Sequence, residues 1–159
     1  MSVDPAEPRD LIIDASVGVK WLVPETHSSE AASLMSSGFR RHVPALFLTE
    51  VCQTIWKKVN IRHEISPDDG REIVRSLLLL PLEVHRIEPL IEVSFEIAIQ
   101  TGRTVSDSVS LALARMKGWT LVTADERLYH SMRGHPLGGL ILWVADIPTL
   151  FRDQKAVED

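Results

Sequence analysis

Four carboxylates stand out in this chain by type and position: Asp14, Glu50, Asp107 and Asp125. Asp14 closes the apolar run Leu11-Ile12-Ile13, and Asp125 follows Leu121-Val122-Thr123-Ala124. Asp107 opens a helical stretch that reaches residue 117, and Glu50 lies on the polar side of a helix that follows Pro44. A charge at the end of an apolar strand is costly unless the strand opens onto solvent, a partner or a metal. Acids that meet in one place repel one another unless a cation sits between them. Carboxylates with hydroxyl neighbours, here Ser16 and Thr123, suit hard ions such as Mg²⁺ or Mn²⁺. The chemistry that such a set supports is that of phosphate groups, assisted by one or two bound ions.

Each acid taken singly also has a structural explanation. Asp14 is placed to cap the helix after the first strand. Thr104-x-x-Asp107 and Thr123-x-x-Glu126 have the form of capping boxes, and an acid in a first turn suits the helix dipole. Glu50 alone is one more solvated residue on a polar helix face. The four together are harder to explain that way, and capping and ligation do not exclude each other.

The elements that must bring these residues together alternate along the chain. Short apolar runs near residues 11–14, 42–43, 82–86, 119–123 and 140–144 read as strands. Between them, helices are expected over residues 17–23, 30–39, from Pro44 onward, 66–80, 89–100, 104–117 and 126–132. Leu48, Val51, Cys52, Ile55, Trp56 and Val59 follow the spacing of one apolar helix face, with Glu50, Gln53 and Lys57 opposite. Ser66 followed by Pro67, Asp68 and Asp69 is a helix start, and Gly102 and Gly118 are helix stops. Parallel neighbours need crossovers of this kind, so the expected fold is α/β, with a central parallel sheet flanked by helices in three layers. The carboxyl ends of parallel strands share one edge, where open α/β sheets place their sites. Residues 11–150 are expected to form a single domain, residues 1–10 a flexible arm and residues 151–159 a frayed tail.

Composition narrows the function classes. The chain has 159 residues, 45% of them hydrophobic and 25% charged, with a net charge of −5. That balance argues against a generic basic nucleic-acid coat protein but not against a nuclease with acidic ligands. Cys52 is the single cysteine, so no internal disulfide forms, which fits a reducing cytoplasm. No signal peptide or membrane-spanning run is present in the sequence. His27, His42, His63, His85, His130 and His135 show no zinc spacing and read as surface or half-buried residues. Gly-x-Ser-x-Gly, a P-loop and a dinucleotide fingerprint are absent.

Four segments carry the acids in order: LIIDASVGVKWL from Leu11, VPALFLTEVCQTIW from Val43, TVSDSVSLALA from Thr104 and TLVTADERL from Thr120. This ordered set resembles the motifs of the PIN-domain family, and most resembles its VapC-type toxins. The resemblance covers residues 11–142. It implies a PIN-like parallel sheet flanked by helices and Mg²⁺- or Mn²⁺-dependent cleavage of RNA phosphodiester bonds. It assigns Asp14, Glu50, Asp107 and Asp125 to the acidic quartet and Ser16 and Thr123 to supporting hydroxyls. It also implies a cognate antitoxin and a homodimer. Val17, Trp21, Trp56 and residues 77–80 offer contact material for these partners. Ser106 and Ser108 depart from the family, in which an aromatic residue often precedes the third acid and alanine follows it.

RNA would need local positive charge. Lys20, Lys57, Lys58, Arg62 and Arg103 are the candidates, with Arg115 and Arg127 beyond them. Two other functions fit parts of the pattern. A non-catalytic PIN-like module that binds RNA or protein would be expected to have lost an acid, and all four are present. A different Mg²⁺-dependent phosphoryl-transfer enzyme of the aspartyl-phosphate kind needs a second carboxylate beside Asp14, and Asp14-Ala15-Ser16 lacks it.

Overall fold

The computed structural model describes residues 7–155, and side chains through residue 152. Five strands form one parallel sheet: β1 (Arg9–Ile13), β2 (Phe39–Pro44), β3 (Glu83–His85), β4 (Thr120–Thr123) and β5 (Ile141–Trp143), in the order β3-β2-β1-β4-β5. The helices are α1 (Ala15–Leu22), α2 (Ser28–Ser33), α3 (Leu46–Asn60), α4 (Pro67–Leu77), α5 (Ile91–Thr101), α6 (Val105–Lys117), α7 (Glu126–Ser131) and α8 (Pro148–Lys155).

Side-chain alternation along the strands sorts the core into two layers. Leu11, Ile13, Val43 and Val122 face one side, where Val17 of α1 and Phe47, Val51 and Ile55 of α3 cover them. Ile12 and Leu121 face the other, against Ile97 of α5 and Leu111 and Leu113 of α6. The result is the expected three-layer α/β/α arrangement. β1 lies between β2 and β4, so the chain leaves it to one side first and later returns on the other. Such a reversal opens a crevice at the carboxyl ends of the two strands. Asp14 and Asp125 follow β1 and β4 there.

The helix that follows Asp14 and the helix that carries Glu50 pack side by side in one layer, and one contact between them is tight. Gly18 of α1 lies under the ring of Phe47 of α3, and a Cβ at Gly18 would come within 2.7 Å of Phe47 Cε2. Phe47 is 1% exposed. The absent side chain therefore sets how near α1 approaches α3.

Several boundaries differ from the sequence reading. The helix expected over residues 30–39 stops at Ser33, because Ser36, Ser37 and Gly38 form a turn and Phe39 already begins β2. Arg9 and Asp10, expected in the arm, are the first two residues of β1 and pair with Phe39 and Arg40. Asp10 accepts hydrogen bonds from Arg40 at 2.7 and 3.1 Å and pairs with His42 Nε2 at 2.7 Å. The Arg40 hydrogen bond does most to hold the Asp10 carboxyl down at about 2. His42 is buried rather than at the surface, with its other ring nitrogen 2.9 Å from His85. The tail expected from residue 151 continues α8 to Lys155. The remainder of the arm and of the tail, residues 1–6 and 156–159, lies outside the described residues. On α3 the buried stripe is Phe47, Val51, Ile55 and Lys58, whereas Trp56, placed in the core by its spacing, is 46% exposed.

Gly18→Ala should destabilise the fold by about 1–3 kcal/mol through overpacking against Phe47. Gly139→Ala, where a Cβ meets nothing within 4 Å, should leave stability nearly unchanged. Urea denaturation of the two variants checks the contrast.

Candidate active site

Asp14 stands at the N-cap position of α1, yet its carboxylate makes no capping hydrogen bond to that helix. It turns across the sheet edge instead. Asp14 Oδ2 accepts from the Ser16 hydroxyl and, at 3.0 Å, from Thr123 Oγ1. Those hydroxyls are fixed in turn: Ser16 Oγ accepts from the Ala124 amide at 2.9 Å, and Thr123 Oγ1 from the Asp125 amide at 3.0 Å. The end of β1 and the turn after β4 are thus tied together by side chains on both sides of the crevice.

Asp125 uses its two oxygens differently. Oδ1 caps α7 by accepting from the Arg127 and Leu128 amides at 2.9 and 3.1 Å. Oδ2 is turned away from the helix and lies 3.9 Å from Arg103 Nη2. Asp107 sits in the first turn of α6, where Thr104 Oγ1 caps its amide at 3.1 Å. That leaves the Asp107 carboxylate free, with Oδ2 3.8 Å from the same Arg103 nitrogen. Glu50 projects from the first turns of α3, and no cation pairs with it among the described residues.

The fields of these groups connect them. Loss of water around Asp14 raises its carboxyl above the ordinary range, the two hydroxyls oppose that rise, and Asp125 adds to it. Partial burial, then Asp14, then Asp107 push Glu50 up to about 7. Each acid is therefore linked to the next: Asp14 to Asp125 and Glu50, Glu50 to Asp107, and Asp107 to Asp125 through Arg103. Among the described residues no three of these side chains close on one point at ligand distance. Asp14 and Glu50 hold their protons more firmly than ordinary carboxyls do, which marks a place short of positive charge. The donors are all oxygen, from carboxylates and hydroxyls, so the set fits a hard divalent cation better than a thiophilic one.

The expected basic strip is used mainly within the protein. Lys58 is buried and bonds Glu25 and Glu64, each at 3.1 Å. Lys20 reaches Glu25 at 3.3 Å, and Arg62 lies 3.9 Å from Glu64. Arg103, expected to meet RNA, is mostly withdrawn from solvent between two acids. Lys57 is exposed, and so are Arg115 and Arg127. Of the expected contact material, Val17 and Leu77 are buried in the core, whereas Trp56, Leu78 and Leu79 are exposed. The role of Arg103 beside the acids was missed in the sequence. Its one sequence signal was a cation four residues before Asp107, at the spacing of a helical ion pair.

Residues 11–131 match the PIN domain family. The chain is 30% identical over 120 residues to Ribonuclease VapC3 of Pyrobaculum aerophilum, covering 74% of this chain and 91% of that protein. Among solved structures it resembles PAE2754 from Pyrobaculum aerophilum, with a TM-score of 0.64 at 19% identity over 97% of this chain and 96% of that one. It also resembles a toxin–antitoxin complex from Klebsiella pneumoniae, with a TM-score of 0.59 at 14% identity over 83% and 95%.

Glu50 carries a pH prediction. Between its ordinary 4.5 and about 7, the folded protein holds a proton that the unfolded chain has released. Stability of the metal-free protein therefore falls as pH rises through that interval and levels off above it. Asp14 acts in the same direction. Glu50→Gln should raise stability near pH 8 by about 1 kcal/mol, a value discounted for partial exposure, and change little near pH 4. Urea titrations in chelator at the two pH values check this.

Proposed function

This chain belongs to the PIN-domain family, and we propose that it is a divalent-metal-dependent endoribonuclease acting as the toxin of a toxin–antitoxin pair. The observation that carries this reading is the gathering of acids at the carboxyl edge of the parallel sheet, with Asp14 held by Ser16 and Thr123 and with Asp107 and Asp125 both facing Arg103. The likeness to a ribonuclease over three quarters of the sequence supports the choice of RNA. Retention of all four acids favours catalysis over a binding module.

Asp14, Asp107 and Asp125 would hold one or two Mg²⁺ or Mn²⁺ ions, with Glu50 reaching them directly or through water. Such ions supply Lewis-acid polarisation of a phosphate oxygen and make a water acidic enough to attack near neutral pH. The chain's own residues do the positioning. Ser16 and Thr123 hold the Asp14 carboxylate through Oδ2. The Arg127 and Leu128 amides fix Asp125 through Oδ1 and leave Oδ2 for the crevice. Glu50, which has no cation partner among the described residues, would orient the attacking water and receive its proton. Lys57, on the same helix as Glu50 and exposed, is the member of the basic strip left to meet RNA phosphates.

A toxin needs restraint, and a cognate antitoxin is the partner this reading implies; the complex from Klebsiella pneumoniae is a structural neighbour of that kind. A homodimer is part of the same proposal. Among the described residues no helix is long and apolar enough to cross a membrane, and a cytoplasmic site of action completes the reading.

Cleavage of a defined RNA panel should require Mg²⁺ or Mn²⁺ and stop in chelator. Asp14→Asn should cut the rate by about a hundredfold or more while circular dichroism shows an intact fold. Undiminished cleavage in chelator would overturn the mechanism. Lys57→Ala should weaken binding alike for all RNA sequences and reduce the salt slope by about one ion, measured by fluorescence anisotropy.

A further inference from the structure

Arg103 is an unusual neighbour for a site that gathers cations. Its side chain is 15% exposed. Gly102, in the left-handed conformation, ends α5 and leads into Arg103 in the short link before α6. One guanidinium nitrogen, Nη2, lies 3.8 Å from Asp107 Oδ2 and 3.9 Å from Asp125 Oδ2. Those acids stand on the first turn of α6 and at the start of α7. Nη1 donates to Ser131 Oγ at 3.2 Å, at the far end of α7. The Nε–H is buried and has no acceptor among the described residues.

A guanidinium held by a full set of hydrogen bonds forms paired bonds to a carboxylate. This one does not. Its two carboxylate contacts are longer than hydrogen bonds, and one of its donors is orphaned, at a cost in free energy. What keeps it in place is the combined charge of two acids that have no other cation among the described residues. It shares the carboxylates that a divalent ion would use.

We propose that Arg103 is a positioning residue of the active site: it holds the Asp107 and Asp125 carboxylates toward each other as an internal counter-cation, and a divalent ion must take them over from it. The inference rests on the metal-dependent reading of the acids. Arg103 thereby prevents the mutual repulsion of α6 and α7 in the metal-free protein and sets how tightly metal binds. The unpartnered Nε–H keeps its grip weak enough to be displaced.

The test compares wild type, Arg103→Gln and Arg103→Lys by two readouts, Mn²⁺ titration calorimetry and melting in chelator. Arg103→Gln should bind Mn²⁺ about fivefold tighter or more, because a competing charge is gone. It should also melt several degrees lower without metal, and the deficit should vanish at saturating Mn²⁺. Arg103→Lys keeps the charge and should stay within about twofold of wild type in affinity. Ser131→Ala, which releases only the Nη1 tether, should move affinity in the same direction by a smaller factor and serves if the Gln variant does not fold. Unchanged or weaker Mn²⁺ binding by Arg103→Gln overturns the proposal. So does a metal-free melting temperature at or above that of wild type. A wild-type protein that binds no Mn²⁺ at millimolar concentration instead defeats the metal-dependent reading itself, and the melting comparison in chelator still decides whether Arg103 compensates the acids.

Discussion

Repulsion among four carboxylates at one sheet edge is the constraint around which the rest of this structure is arranged. The parallel sheet supplies the place: strand ends converge on one edge, and the reversal at β1 opens a crevice there. Burying charge at such a place is unfavourable unless each oxygen is paired or the charge is neutralised. The protein meets this in three ways. Hydroxyls of Ser16 and Thr123 take one oxygen of Asp14. Amides of α7 take one oxygen of Asp125. Arg103 faces the free oxygens of Asp107 and Asp125. Glu50 receives no such help, and its carboxyl rises to about 7.

That arrangement stores a preference for a cation. On the proposed reading, a metal that neutralised the acids would remove the cost of burying their charge, and binding and stability would be linked in the same site. The scaffold resists the spreading of the acids through rigid contacts rather than further charges. Gly18 lets α1 lie against Phe47 of α3, which fixes the separation of the elements bearing Asp14 and Glu50. Buried Lys58 is committed to Glu25 and Glu64 and adds nothing to the field at the site. Among the described residues, the unpaired basic charge left at the surface includes Lys57, Arg115 and Arg127.

Much of this was legible in the sequence because the strands are short, apolar and separated by clear helix signals. Asp14 and Asp125 could be located from the strands they end, and Asp107 from the Thr104 cap. The family followed from the order of the acid-bearing segments. Other features depended on tertiary pairing that periodicity does not report. β2 alternates Phe39, Arg41 and Val43 with Arg40 and His42, but its charged members hide the pattern, and Arg40 makes sense only beside Asp10. Trp56 fits an apolar helix stripe yet falls at the edge facing α4, where the core has narrowed to Phe47, Val51 and Ile55. Lys58 reads as solvated until Glu25 is folded against it. Arg103 reads as one more basic residue, because nothing local shows that Asp125 will come within reach of it.

The most direct measurement of the central claim is proton release on metal binding, obtained by Mn²⁺ calorimetry in buffers of different ionisation enthalpy. If the four acids share one cation, binding must expel the proton that burial, with Asp14 and Asp107 nearby, holds on Glu50. The account predicts measurable release near pH 6, falling away near pH 9, where Glu50 is already ionised. Binding near pH 6 without release of protons, or Mn²⁺ affinity unaltered by Asp14→Asn, would contradict it.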